Sequence, residues 1–142
     1  MQIALREIRI GTHAPIQVID ISDQVRALLD ESGVKEGLLT LISSHTTAFV
    51  SLNESETRLH EDMVDFLTRL APREAGYRHD VSPVDDRHNA HSHLLGLFMT
   101  ASQSIPIVAG ELLLGGWQAI LFIELDGPRA CRTVQVQILG AS

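Results

Sequence analysis

The sequence is poor in cysteine and in basic residues. Cys131 is the only cysteine among 142 residues, which excludes an intramolecular disulfide and a cysteine-based zinc site. A single cysteine fits a reducing compartment, so we expect a cytoplasmic protein. The chain has 11 Lys and Arg against 18 Asp and Glu, which gives a net charge of −7. Because an acidic surface repels nucleic-acid phosphates, we expect no nucleic-acid partner.

The chain also lacks an uninterrupted apolar segment of membrane-spanning length. The segment 105–125 is about as long as a membrane-spanning helix, but polar residues and glycines such as Gly110, Glu111 and Glu124 interrupt its apolar character. We therefore predict buried strands in this segment and no membrane partner. Residues 1–10 carry charges among the apolar positions, so we expect no signal peptide there.

The apolar pattern predicts one α+β domain that spans residues 1–142, with two main helices. Residues 21–32 have helical periodicity that ends at Gly33, and residues 54–70 form the stronger helix, ended by Pro72. The predicted strands are 3–10, 16–19, 38–43, 46–52, 104–108, 111–114, 117–125 and 133–139. Strand 117–125 is apolar on both faces and therefore needs cover on both sides.

Two segments do not fit a single periodic pattern. Residues 71–89 have no clear period and carry Pro, Gly, Asp and His, so we expect a long loop. Loops of this length in compact domains are often functional. Residues 90–100 fit a helix or a strand equally well.

Histidine is abundant, with seven in the chain, and four of them lie in these two segments, residues 71–89 and 90–100. Those that could share a site are His45, His79, His88, His91 and His93. Three neutral imidazoles that converge on one point are a familiar transition-metal shell with an open position. The spacing matches no zinc signature, so solvated loop histidines are the alternative interpretation of His88 and His91.

Glu124 ends a predicted strand on the face that also carries Ile120 and Phe122. A carboxylate on an apolar face must find a partner, or burial raises its pKa. A raised pKa would suit a general acid or base. The alternative is that Glu124 emerges at the strand end and meets water or an arginine.

Two further features could bind an anion. Asn53 precedes the helix predicted at 54–70 and could cap it, and a helix N-terminus can also hold an anion. Arg129 and Arg132 follow the turn predicted at 126–128, and arginine binds phosphate through a forked pair of hydrogen bonds. A simple surface position is the alternative for both arginines.

Six motifs, in order, resemble those of the YjbQ family, the secondary thiamine-phosphate synthase group. They are residues 37–54 (GLLTLISSHTTAFVSLNE), 77–79 (YRH), 89–93 (NAHSH), 105–112 (IP and GEL), 114–120 (LGGWQAI) and 124–129 (ELDGPR). The resemblance covers roughly residues 8–140. Gly116 stands where the family has Thr, Leu95 where it often has Lys, and Thr100 where it often has Gly; Arg132 lies one residue later than the usual second Arg.

The resemblance implies a compact, β-rich fold with mixed or antiparallel sheets, similar to a β-sandwich, and a homotrimer. It also implies thiamine-phosphate synthase activity, in which an aminopyrimidine diphosphate joins a thiazole phosphate and pyrophosphate leaves. The small phosphorylated metabolites would be the partners, and a divalent metal, zinc or magnesium, the cofactor. Other functions that fit the residues are a non-catalytic protein that binds a phosphometabolite or a metal, and a metal-assisted phosphoester hydrolase.

The resemblance also assigns roles by position. The implied catalytic residues are His45, Asn53, Glu54 and Glu124. The implied phosphate-binding residues are Arg129, Asn89, Thr46 and Thr47. The implied metal ligands are His45, His79 and His93.

Overall fold

Eight strands and three helices make up the chain, in a computed structural model that describes residues 1–142. The strands are β1 (Gln2–Thr12), β2 (Gln17–Asp20), β3 (Glu36–Ser43), β4 (Ala48–Asn53), β5 (Ser102–Val108), β6 (Glu111–Leu112), β7 (Ala119–Glu124) and β8 (Arg129–Ala141). The helices are α1 (Ser22–Ser32), α2 (Thr57–Leu70) and α3 (Ala90–Gly96), and one 3-10 turn spans Arg78–Asp80. The α+β prediction is confirmed.

The strands form two stacked sheets with only antiparallel pairings. One sheet has the order β1-β8-β3-β5-β6 and the other β2-β7-β4. The core lies between them, with Leu39 and Val136 from the larger sheet against Val50 and Phe122 from the smaller. Each of these side chains is buried because successive strand residues alternate between the core and the outer face.

Strand β7 is covered on both faces, as its apolar sequence predicts. All six of its residues are buried. Phe122 belongs to the core between the sheets, and Ile123 belongs to a second cluster with Leu67 of α2 and Leu95 of α3. The smaller sheet is therefore the middle layer of the domain, between the larger sheet and these two helices.

The beginning of α2 differs from the prediction. Asn53 is the last residue of β4, and its Oδ1 accepts a hydrogen bond from the Glu54 N–H at 2.8 Å. Glu56 has extended backbone angles and caps the helix, because its carboxylate accepts from the Leu59 N–H. The prediction that Asn53 caps a helix starting at Glu54 is wrong, since three further residues separate the strand from the helix.

The remaining boundaries shift by a few residues. Gly33 ends α1 with a φ of 70°, a left-handed conformation that glycine adopts without strain. The ambiguous segment 90–100 contains the short helix α3, and the predicted loop 71–89 is irregular apart from its 3-10 turn. Trp117 lies before β7 and is 81% exposed. None of the helices has the length and apolar character needed to cross a membrane.

Candidate functional site

The turn between β7 and β8 organises the candidate site. It begins after Glu124 and runs through Asp126 and Gly127 to β8. The Gly127 N–H donates to the Pro15 carbonyl oxygen at 3.0 Å, and a Cβ at position 127 would collide with the Ala14 carbonyl oxygen. Glycine is therefore needed where the turn packs against the segment before β2.

Glu124 is fully buried and saturated with hydrogen bonds. Its Oε2 accepts from Thr12 Oγ1 at 2.9 Å and from Arg132 Nε at 2.8 Å. Its Oε1 accepts from Arg132 Nη2 and from the Asp126 N–H at 2.9 Å. Arg132 also donates to Thr47 Oγ1 at 2.8 Å, which fixes the turn before β4. We name these four side chains, Thr12, Thr47, Glu124 and Arg132, the inner network.

The environment of Glu124 does not produce the raised pKa that the sequence suggested. Burial raises the pKa of this carboxyl, but the hydrogen bonds from Arg132 and from the Asp126 N–H outweigh it and hold the pKa below its ordinary value of 4.5. Of the two alternatives that the sequence leaves open for Glu124, a raised pKa or a partner such as an arginine, the structure shows the partner, because the guanidinium of Arg132 pairs with the carboxylate. At neutral pH Glu124 is ionised, so it can position its partners but has no proton to donate.

A second network centres on Asp126. Its Oδ2 accepts from Asn89 Nδ2 and from Arg129 Nη2, both at 2.9 Å, and its Oδ1 accepts from Arg87 Nη1 at 3.2 Å. The Asn89 Oδ1 lies 3.1 Å from His79 Nε2. We name these five side chains, His79, Arg87, Asn89, Asp126 and Arg129, the outer network.

The outer network keeps Asp126 ionised and orients the ring of His79. Burial raises the pKa of Asp126, but the hydrogen bonds from Asn89 and Arg129 outweigh it and lower the pKa below 3.8. Because Asn89 donates to Asp126 through Nδ2, its Oδ1 is an acceptor, so His79 donates through Nε2. A neutral His79 therefore keeps the lone pair on Nδ1, the form in which imidazole binds a metal.

The three predicted metal ligands do not converge within one chain. His79 and His93 pack edge to face with ring centroids 5.0 Å apart. The Thr133 N–H donates to His45 Nε2 at 3.0 Å, beside the inner network. No group of three His, Cys, Asp or Glu side chains in the chain is arranged to hold a metal ion. A metal at His79 and His93 would therefore need a further ligand from a substrate or from another chain.

His45 is neutral at physiological pH. Burial lowers the pKa of His45 below its ordinary value of 6.5, and the positive charge of Arg132 lowers it further. Its Nε2 lies 3.0 Å from the Thr133 backbone nitrogen and 3.1 Å from the Thr133 carbonyl oxygen, so this ring nitrogen is engaged by the backbone. The other ring nitrogen, Nδ1, makes no hydrogen bond within the chain and is left for a ligand.

A cleft of about 410 Å³ opens beside the histidine pair. Its lining residues are Tyr77, Arg78, His79, Ala90, His93 and Leu94. Most of the exposed lining is apolar, whereas the outer network nearby is charged. A ligand with an organic ring and a phosphate fits such a combination.

Asn53 and Glu54 do not join this site within one chain. Strand β4 pairs with β7 so that Ala48 lies opposite Glu124 and Asn53 lies opposite Ala119. The five residue steps from Ala48 to Asn53 span about 17 Å at the usual rise of a strand. Asn53 and Glu54 are therefore at the far end of the smaller sheet, where Trp117 also lies. The Thr46 side chain is exposed in the turn before β4.

Three of the four departures from the family motifs, at positions 95, 100 and 116, have different surroundings. Leu95 is buried in the second cluster, so position 95 supplies no cation in this chain. Thr100 Oγ1 donates to the Val50 carbonyl oxygen at 2.8 Å. A side chain at position 116 would meet no neighbour, so Gly116 is not required by packing.

A family model described as UPF0047 protein YjbQ-like matches residues 6–141. The chain belongs to this family. A UPF0047 protein from Methanothermobacter thermautotrophicus is 36% identical over 140 residues, which cover 99% of this chain and 94% of that protein. The UPF0047 protein YugU from Bacillus subtilis is 34% identical over 140 residues, which cover 96% of this chain and 99% of YugU.

Solved structures of the UPF0047 family share the fold. A crystal structure described as a YbjQ-like protein of unknown function from Sulfolobus solfataricus superposes with a TM-score of 0.90 at 34% identity and covers 98% of each chain. A hypothetical protein from Aeropyrum pernix gives a TM-score of 0.89 at 39% identity and covers 96% of this chain and 98% of that one. The family resemblance inferred from the motifs is thus confirmed, and these names assign no reaction to the fold.

Sequence reasoning missed three residues of the networks. Asp126 was identified only as a turn residue, although the outer network depends on it. No sequence pattern pointed to Arg87 or Thr12, because each contacts a partner that is distant in the chain. Only the position of Arg87 beside His88 and Asn89 could have directed attention to it.

Proposed function

We propose that the chain is a thiamine-phosphate synthase-like transferase that binds its phosphorylated substrates at the outer network. The observation that carries this proposal is the convergence of Arg129 and Asn89 on Asp126, with His79 bonded to Asn89, in a chain of net charge −7. A local cluster of cationic and polar donors on an acidic protein suits a small anionic ligand better than a polyanion.

In this reaction the bond between the pyrimidine-bearing carbon and the diphosphate oxygen breaks, and the thiazole nitrogen bonds to that carbon. The electron pair leaves with pyrophosphate, so negative charge grows on the departing group. Arg129 would hold that group, since its Nη1 makes no hydrogen bond within the chain. In the tautomer that carries its proton on Nδ1, His45 would donate to a phosphate oxygen, and Glu124 would hold Arg132 and Thr47 in place.

A divalent metal is part of the proposal, with a substrate or another chain supplying the ligands that this chain alone does not bring together. His79 Nδ1 and His93 would supply two imidazole ligands, which favour zinc over magnesium. A bound metal ion would offset part of the charge on the departing pyrophosphate. Asn89 would orient His79 by accepting its Nε2 proton, as outer ligands of metal sites do.

A homotrimer is part of the proposal, because two features of the single chain suit self-association. The outer face of the larger sheet carries an exposed apolar row in which Ile3, Leu139 and Leu38 are cross-strand neighbours. Asn53 and Glu54 lie at the opposite end of the smaller sheet from His45. A head-to-tail contact between unlike surfaces closes into a ring and would bring Glu54 of one copy toward His45 of the next.

Light scattering coupled to size exclusion tests the trimer. We expect the mass of three chains of 15.6 kDa each. Leu139→Arg should reduce the mass to that of one chain, whereas Leu97→Arg, at an exposed leucine just after α3 and away from this face, should not. A single-chain mass for the unmodified protein would contradict the trimer.

The activity test supplies an aminopyrimidine diphosphate and a thiazole phosphate to protein purified without chelator and without a His tag. We expect thiamine phosphate and pyrophosphate in equal amounts by chromatography. His45→Ala and Arg129→Gln should abolish both, whereas Arg58→Gln, which removes an exposed cation from α2, should change neither. No product with zinc or with magnesium would reject the transferase.

Elemental analysis of the same preparation tests the metal. About one zinc per chain, lost in His79→Ala, would support the imidazole site.

A non-catalytic phosphometabolite-binding protein is the second candidate, and the state of Glu124 favours it. An ionised carboxylate saturated with hydrogen bonds leaves the site without a carboxylic acid to donate a proton. A bound phosphometabolite recovered unchanged after long incubation would support this candidate. Release of inorganic phosphate from generic phosphoesters would instead indicate a metal-assisted hydrolase.

A further inference from the structure

Arg87 is a cation of the outer network that belongs to the long loop before α3. Its Nη1 donates to Asp126 Oδ1 at 3.2 Å, whereas Arg129 Nη2 donates to Oδ2 of the same carboxylate at 2.9 Å. We propose that Arg87 and Arg129 form a two-arginine clamp that binds the diphosphate group of a substrate. This inference rests on the proposed function of the outer network and adds its second phosphate-binding residue.

Both guanidinium groups keep donors that the chain does not use. A guanidinium has five N–H donors in a planar fork. Arg87 bonds only through Nη1, which leaves Nε and Nη2 for a ligand. Arg129 bonds through Nε and Nη2, which leaves Nη1. The two side chains are 38% and 28% exposed, so an anion from solvent can reach them.

The charges of the clamp do not cancel within the chain. Two guanidinium groups share the single carboxylate of Asp126, so one positive charge remains. The neighbouring Asp85 carboxylate accepts from the Arg87 backbone N–H at 3.1 Å and makes no ion pair with its guanidinium. Arg132 differs, because Glu124 matches its charge within the core. The excess charge, with donors on two separate guanidiniums, fits a group with two phosphates better than a single phosphate.

The position of Arg87 in the chain is compatible with a shared site. Arg87 lies on the loop before α3, and its Nη1 and the Nε of Arg129 both lie within hydrogen-bonding distance of the Asp126 carbonyl oxygen, at 3.5 Å and 3.0 Å. Position 95 of α3 supplies no cation, because Leu95 is buried in the apolar cluster. Arg87 is therefore the cation that the loop before α3 brings to this turn.

Binding of inorganic pyrophosphate and of inorganic phosphate, measured by titration calorimetry, tests the clamp. We expect Arg87→Gln to weaken pyrophosphate binding about 10-fold or more and phosphate binding about threefold, because a charge-assisted contact is lost. Arg87→Lys keeps the charge but loses the fork, so it should lie between Arg87→Gln and the unmodified protein. The matched control is Arg58→Gln, which removes an equally charged residue paired with Glu56.

The outcomes separate the clamp from the proposed function. If Arg129→Gln abolishes pyrophosphate binding while Arg87→Gln retains it within about twofold, Arg87 is not part of the site and the proposed function stands. If the unmodified protein binds neither anion, both are rejected. If Arg58→Gln weakens binding as much as Arg87→Gln, the effect is one of overall charge, which also overturns the clamp. Circular dichroism of each variant establishes that it is folded.

Discussion

Arg129 and Arg132 lie three residues apart on β8, yet they belong to networks with opposite character. Arg132 is 4% exposed in its side chain and pairs with a carboxylate that is fully buried. Arg129 is 28% exposed and shares Asp126 with Arg87 and Asn89. The charges of Arg132 and Glu124 neutralise one another inside the protein. In the outer network two guanidinium groups share one carboxylate, so one positive charge and several N–H donors remain unpaired. Burial, and not residue type, separates the structural arginine, Arg132, from the proposed binding arginine, Arg129.

The difference between the two arginines follows from their positions along the strand. Arg132 lies on the inward face of β8 together with Val134 and Val136, because side chains alternate along a strand. Arg129 is the first residue of β8 and is only partly covered. By sequence alone, both arginines are candidate phosphate-binding cations. Strand periodicity would have assigned Arg132 to the core.

The largest effect should come from breaking the inner network on one side. Arg132→Met leaves the Glu124 carboxylate buried without its cation, which costs about 3–5 kcal/mol of unfolding free energy. Urea unfolding at one fixed protein concentration measures this cost. The double variant Arg132→Met with Glu124→Gln should recover most of it, because no charge is then left unpaired. A loss below about 1 kcal/mol in the single variant would mean that the pair is solvated.

The same networks predict how stability depends on pH. Burial lowers the pKa of His45 and of His91 below 6.5, so the unfolded chain takes up these protons first as the pH falls. The histidine contribution is present above pH 6.5 and is lost as the pH falls through the lower folded pKa values. Glu124 and Asp126 also have lowered pKa values, so their contribution is present above about pH 4.5 and is lost in more acidic solution.

Urea unfolding from pH 8 to pH 4 measures this dependence. Each unit of pKa difference corresponds to about 1.4 kcal/mol. We expect stability to begin to fall below pH 6.5 and to fall more steeply near pH 4. The double variant of the inner network should retain the first decrease and show a smaller second one. A stability that is constant from pH 7 to pH 5 would contradict the role of the histidines.

Much of the fold could be predicted from the sequence, because it depends on local patterns. The two apolar faces of β7 and the αL glycine after α1 were readable from periodicity and composition. The start of α2 could not be predicted in this way. An asparagine suits both a helix cap and the end of a strand, and Asn53 ends β4 whereas Glu56 caps α2.

The candidate site was predictable only in part. The motifs named His79, Asn89 and Arg129, which the structure joins in one network through Asp126, but they gave no sign of the contact of Arg87 with Asp126, which joins residues 39 positions apart. The sequence placed Asn53 and Glu54 in the same site as His45, whereas the strand register separates them. Motif order along the chain carries no information on which end of a strand a residue occupies.

A smaller effect on stability should accompany the loss of the outer arginine. Arg129→Gln leaves Asn89 and Arg87 on Asp126, and the glutamine amide can still donate, so we expect about 1 kcal/mol or less. The unfolding measurement used for Arg132→Met gives the direct comparison. Equal losses in the two variants would remove the distinction between the structural and the binding arginine.

The two ends of the smaller sheet differ in the same way, because each carries residues that the family motifs assign to one site. Whether the two ends meet depends on how neighbouring copies assemble. His45 lies near the Glu124 end of β7, and Glu54 lies beyond its Ala119 end. If neighbouring copies share a site, His45→Ala and Glu54→Gln chains that are each inactive should complement one another when mixed. Random assembly of equal amounts gives both intact residues at about one quarter of the interfaces, so about a quarter of the activity should return.

The mixture must be unfolded and refolded together so that the subunits exchange. The control mixes His45→Ala with Arg129→Gln, two residues that lie on the same side of the chain in this arrangement, and should recover no activity. Recovery in the first mixture alone would show that Glu54 acts in a neighbour's site. An active Glu54→Gln protein would instead show that the far end of the sheet takes no part in the chemistry, and the site would then be built from one end of one chain.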